Sequence, residues 1–271
     1  MSQNFSGSPC LTFLKKQMKQ KLSDWIRREW TDYVLLLRNI PSLIVSLFIL
    51  SVVCMNLLAN KELVSFKYLA LDCGFTLSWV SFLCMDMICK RFGAKAAMKI
   101  SLLALLVNLC VFFLFHLLAM TPGMWGEYYS YANSGQEKAR IANNALNATF
   151  GGTWYVVFGS AIAMFVSSIV NSAVNHWISK RTASKNFRNF AVRSYTSTMI
   201  AQFVDNFLFA SIVSHVFFGW TMAQVLVCSL TGAVMELLCE VVFSPLGYRI
   251  CRSWESQGIG MEYIRFKEGK R

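Results

Sequence analysis

The sequence predicts an all-α, polytopic integral membrane protein: a six-transmembrane-helix bundle with an N-terminal amphipathic interfacial helix. Three observations carry that expectation. Hydrophobic residues make up 55% of the 271 positions and charged residues only 15%, where a soluble domain carries roughly a quarter. The apolar residues gather into runs of about 17–25, the length a helix needs to cross the hydrocarbon. The basic residues between those runs alternate, dense on one side and sparse on the other.

The elements follow in chain order. In residues 1–39, Leu11, Leu14, Met18, Leu22 and Trp25 recur at helical spacing among lysines and arginines. That is the pattern of a helix lying in the interface and drawn to anionic lipid; a solvated basic tail is the alternative. Residues 40–248 hold the expected spans, at 40–58, 73–89, 100–120, 153–178, 196–218 and 221–246. The second ends near Asp86, and Glu236 and Glu240 interrupt the sixth. Residues 121–152 read as a long outer loop, with Tyr128, Tyr129 and Tyr131 set between glycines. Residues 249–271 read as a basic cytoplasmic tail.

Twenty-two of the 26 lysines and arginines fall on the side shared by both termini, and Lys61, Lys67, Lys138 and Arg140 on the other. This asymmetry sets orientation and predicts a multi-pass protein with both termini cytoplasmic. The net charge of +12 would suggest nucleic acid in a soluble chain. Here no soluble domain remains to read a groove, so no nucleic-acid partner is expected and the charge is assigned to the membrane surface. The nine cysteines show no pair with zinc or redox spacing. No phosphate-cradling glycine loop, metalloprotease helix or nucleophile elbow is present, so neither enzyme activity, nor a cofactor, nor a metal is expected.

An ionisable side chain inside a span is costly and marks a substrate or ion path. Thr198, Gln202, Asp205 and Asn206 recur every three or four residues and share one helical face. A carboxylate flanked by carboxamides suits the edge of a heterocyclic base; interhelical hydrogen bonding is the structural alternative. Asp86 either faces the interior or pairs with Lys90 one turn on. Glu236 and Glu240 stand a turn apart and repel if both are charged, so a proton or a cation is expected between them. Asn56 and Asn60 form a similar pair at the end of the first span, and Asn171 and Asn175 another. Trp79 and Tyr195 are candidate stacking surfaces. His116, His176 and His215 stand alone near span ends and read as interfacial.

Residues 85–97, with Asp86, Phe92-Gly93 and Ala96-Ala97, resemble the Asp…Phe/Tyr-Gly…Ala segment of the queuosine precursor transporter family, also called the putative vitamin uptake transporter family. Residues 197–209 resemble its Ser…Asp-(Thr/Asn)…Phe helix through Ser197, Asp205-Asn206 and Phe209. Residues 241–248, with Pro245 and Tyr248, are similar to its terminal segment, and Asn56 to Lys61 to the polar exit of its first helix. The resemblance spans about residues 40–252. It implies a six-helix importer in the bacterial cytoplasmic (inner) membrane for a 7-deazapurine such as preQ0, preQ1 or queuine. Asp86, Gln202, Asp205, Asn206, Glu236, Glu240, Asn56, Asn60, Trp79 and Tyr195 are the candidate binding residues. Protons or another coupling ion, and a homo-oligomer, remain open as partners beside the bilayer. A substrate-binding membrane subunit served by a separate ATPase, and a non-transport scaffold, are the alternatives. The basic N-terminal segment and the outer loop exceed the family pattern, and Glu236 stands where some members carry a basic residue.

Overall fold

Long helices run through nearly the whole chain in the computed structural model, which describes residues 9–181 and 187–269. They are α1 (Pro9–Asn39), α2 (Ser42–Leu58), α3 (Phe75–Phe92), α4 (Ala94–Ala119), α5 (Glu127–Arg181), α6 (Phe187–Phe209), α7 (His215–Phe217), α8 (Met222–Ser256) and α9 (Met261–Lys267). A short antiparallel hairpin, β1 (Glu62–Ser65) and β2 (Ala70–Asp72), links α2 to α3. A π-helical turn, Ala210–Ser214, joins α6 to α7.

Breaks fall where the backbone demands them. Pro41 ends α1, and α1 meets α2 at 102°. Gly93, at φ 90°, makes the corner between α3 and α4, a conformation a side chain would strain. Thr221 and Gln224 form a reciprocal capping box that starts α8. Within the bundle, α3 packs on α2, α4 and α8, while α6 packs on α5 and α8; α4 against α5 completes the ring.

The outer faces are apolar. Leu102, Leu106, Phe113 and Leu117 are exposed along one side of α4, and Leu226, Leu230, Leu238 and Val242 along α8. Exposed apolar faces of this extent mark a membrane protein. Among the described residues, four helical segments are long and apolar enough to cross: Ala94–Ala119, Glu137–Ser167, Thr198–Phe217 and Met222–Phe243. The bent pair α1–α2 brings the number to five if it is one span. Helices stand at all six expected positions, but α2 has only 17 residues and α3 carries Asp86, Lys90 and Arg91 in its 18.

Two expectations need correction. Most of the expected 121–152 outer loop is helical, because α5 starts at Glu127. Glu137, Lys138, Ala139, Arg140, Ala142, Ala145 and Leu146 are helix formers, and no proline occurs between Pro122 and Pro245. The non-helical remainder folds back onto it, with Trp125 donating to Asn143 Oδ1 from its backbone N–H and to Asn147 Oδ1 from its indole. The expected basic tail is structured as well. α8 runs past Pro245 to Ser256, and α9 packs on α1 with Trp254 and Tyr263 buried.

An ion cluster fastens that end of the bundle. Lys99 of α4 pairs with Glu29 (2.6 Å) and Asp32 of α1, and Lys267 of α9 reaches Asp32 at 2.9 Å. The Arg91 guanidinium donates twice to the Ile259 carbonyl. An apolar core lies beside it, built from Leu36, Ile40, Phe48, Ile88, Phe92, Ile100 and Trp254.

Candidate functional site

Opposite that core, a cavity of about 90 Å3 opens between α2, α3, α5, α6 and α8, under the hairpin. At roughly 10–15 Å3 per water, it has room for several water molecules. Its polar walls are Asn56, Asp72, Ser78, Ser160, Asp205, Asn206 and Glu236, and its aromatic walls Phe75, Phe82, Phe209 and Trp220. Among the described residues, three of those lining it are carboxylates and none is Lys, Arg or His.

Each acidic group is held by its neighbours. Asp205 accepts from the Ser167 hydroxyl across α5–α6 at 2.8 Å. Glu236 accepts from Asn206 Nδ2 at 3.2 Å. That leaves the Asn206 amide oxygen as the end not committed to Glu236. Gly232, one turn before Glu236 on α8, makes room for this, since a Cβ there would come within 2.8 Å of Asn206 Nδ2. Asp72 Oδ1 accepts from the backbone N–H groups of Gly74 (2.8 Å) and Phe75 (3.3 Å), at the entry to α3. Burial pushes Asp72 up to about 6 despite those two donors.

The roof comes from segments between helices. Trp220 donates its indole N–H to Glu62 Oε1 of the hairpin at 2.5 Å, and its carbonyl accepts from His215 Nδ1. Gln224 donates to the Phe66 carbonyl at 3.0 Å. The π-helical turn at Ala210 lines the same space, and Tyr155 satisfies its Ile212 carbonyl.

Of the residues expected from sequence, Asp205, Asn206, Glu236 and Asn56 meet in this cavity. Asp86 and Trp79 line a smaller neighbour that shares Glu236 and Phe82. There the Trp79 ring stacks on Phe243 at 4.4 Å between centroids, while Lys90 sits over the Tyr248 ring. Gln202 is buried outside the lining, its Oε1 without a partner among the described residues. Asn60 bonds Thr153, and Tyr195 is exposed on α6; neither lines the cavity. The side chains of Glu240, Asn171, Asn175 and His176, and the centre of the expected 180–193 loop, lie outside the described residues. Sequence reasoning missed Asp72, Ser78, Ser160 and Trp220. Asp72 carried a signal, a helix-starting residue just ahead of an apolar run; Trp220 carried only its place between two spans.

Helices with apolar outer faces around a partly open cavity lined by carboxylates and carboxamides define a membrane protein with an internal polar site. The family model for putative vitamin uptake transporters matches residues 72–250, from the entry to α3 to near the end of α8, and the chain belongs to that family. No curated protein and no solved structure matches it.

Proposed function

We propose that this protein imports a queuosine precursor, a 7-deazapurine such as preQ0, preQ1 or queuine, across a bacterial cytoplasmic membrane. The observation that carries the reading is the cavity's chemistry: three carboxylates, two carboxamides, aromatic walls and, among the described residues, no lining cation. Such a site repels carboxylate-bearing vitamins and favours flat ligands rich in donors or positively charged. A guanine-like edge offers N1–H and an exocyclic amino group to one carboxylate, a role this reading gives to Asp205. An aminomethyl ammonium, as on preQ1, then has Glu236 or Asp72 as a partner, and Phe75, Phe82 or Trp220 offers a face for the ring.

In this proposal α2, α3, α4, α5, α6–α7 and α8 each cross once, with both termini and the α5–α6 junction cytoplasmic. The cavity then lies towards the outer side, and the ion cluster of α1, α4 and α9 closes the inner one. Protons or another ion supply the driving force. Reporter fusions at residues 66, 122 and 184 and at the C-terminus test the topology; an external C-terminus would overturn it. Uptake of labelled preQ0, preQ1 and queuine into cells unable to make the precursor tests the function. Saturable uptake that depends on this chain is expected for at least one of the three, and none for any of them would refute the assignment.

A further inference from the structure

We infer that α1 is an in-plane foot whose apolar face binds the headgroup layer of an anionic membrane. The argument starts with a helical face that has a partner at one end and none at the other. Near the bend, Leu36 and Ile40 of α1 are buried in the core beside Phe92 and Trp254, and Asp32 is buried in the ion cluster. At 3.6 residues per turn, Met18 lies five turns before Leu36 on the same side, and Trp25 about three. Leu22 and Ile26 widen that side into a stripe, and Trp30 stands at its outer edge, beside Lys19. All five are more than half exposed, Met18 at 69% and Trp30 at 68%.

The charge pattern selects the occupant. Lys16, Gln20, Ser23, Arg27 and Thr31 run along the opposite side, with Lys21 and Arg28 on one flank and Lys19 on the other. An apolar stripe bordered by cations is the signature of a helix at an anionic lipid surface. The bend supplies the orientation. α1 meets α2 at 102°, so when α2 crosses the bilayer, α1 runs nearly parallel to its surface. Glu29 and Asp32, bonded to Lys99 and Lys267, fix its rotation, so the stripe cannot roll away from the side that faces the bundle. Trp25 lies in the stripe and Trp30 at its edge, as expected of residues at headgroup level.

The test uses the full-length chain in nanodiscs, with a nitroxide placed singly at positions 17–28 in a cysteine-free background. Positions 18, 22, 25 and 26 should be more accessible to oxygen than to a water-soluble nickel chelate, and positions 20, 23 and 27 the reverse. The contrast should deepen when phosphatidylglycerol is added to phosphatidylcholine. Uniform access to the chelate would overturn the inference. So would spin–spin broadening between copies, which would assign the stripe to a second chain. The unlabelled wild-type protein gives an independent reading. Lipid brominated near the headgroup should quench it more than a Trp25→Phe/Trp30→Phe variant, and equal quenching would also overturn the inference. Neither measurement involves transport, so its failure is separate from failure of the proposed substrate.

Discussion

Replacing Gly232 with Ala adds one methyl group at the point where α6 and α8 share their polar contact. The new Cβ would lie 2.8 Å from Asn206 Nδ2 and 3.2 Å from its Cγ, too close for either to stay. Asn206 swings away, and its bond to Glu236, already 3.2 Å long, opens. A buried polar group left without its partner costs about 1–3 kcal/mol. The same methyl contributes about 1 kcal/mol of helix propensity, so the fold loses at most about 2 kcal/mol and survives. Binding feels the full cost, and deazapurine affinity should fall roughly 5- to 150-fold. Gly247→Ala is the control on the same helix. There a Cβ meets the end of Leu83 (3.2 Å) and Cγ of Met87 (3.3 Å), apolar groups that need yield only a few tenths of an ångström and make no polar contact with the cavity, so uptake should stay unchanged. Initial uptake rates of labelled preQ1 below saturation, with melting of the purified variants in detergent, separate the two effects. Wild-type uptake by Gly232→Ala would refute the argument that Asn206 must stay on Glu236. An equal loss in Gly247→Ala would point instead to stiffening of α8.

Three further outcomes are expected. Asp205→Asn puts a donor where the ligand already presents donors, a mismatch of about 1–3 kcal/mol, so affinity should drop roughly 5- to 150-fold with expression unchanged; normal binding would show that this carboxylate does not read the base. Lys99→Met leaves Asp32, 3% exposed, with Lys267 as its remaining cation; a broken buried pair costs about 3 kcal/mol, so melting in detergent should fall while ligand affinity holds, and an unchanged melting point would remove the cluster from the inner closure. Asp72, raised to about 6 by burial, binds its proton more tightly folded than unfolded, so its contribution is full below about pH 4 and lost as pH climbs through 6. Asp72→Asn keeps an acceptor for Gly74 and Phe75, and should be more stable than wild type at pH 8 yet equal to it near pH 4; no difference at pH 8 would contradict that burial cost.

The apolar runs were legible because spanning a bilayer imposes length and composition on each segment separately, and four of the described helical segments, or five with the bent α1–α2 pair, meet that requirement. The helices α2, α3, α4, α6 and α8 accordingly stand where those runs were drawn. The face shared by Asp205 and Asn206 was legible for the same reason, since helical periodicity is local, and both line the cavity. Periodicity could not say which neighbour each face meets. It grouped Gln202 with Asp205, yet Gln202 lies outside the lining, and it gave Trp79 no hint of Phe243, 164 positions on, against which it stacks. The early start of α5 was missed because a polar, tyrosine-rich stretch with glycines reads as loop when hydropathy is the guide, although alanine, glutamate and lysine favour helix without apolarity. Asp72 and Trp220 required the tertiary structure. One stands in a hairpin and the other in an interhelical turn, where no periodicity constrains direction. Only the packing of α2, α3 and α8, and the bond from Trp220 to Glu62 across 158 positions, brings them over the same cavity.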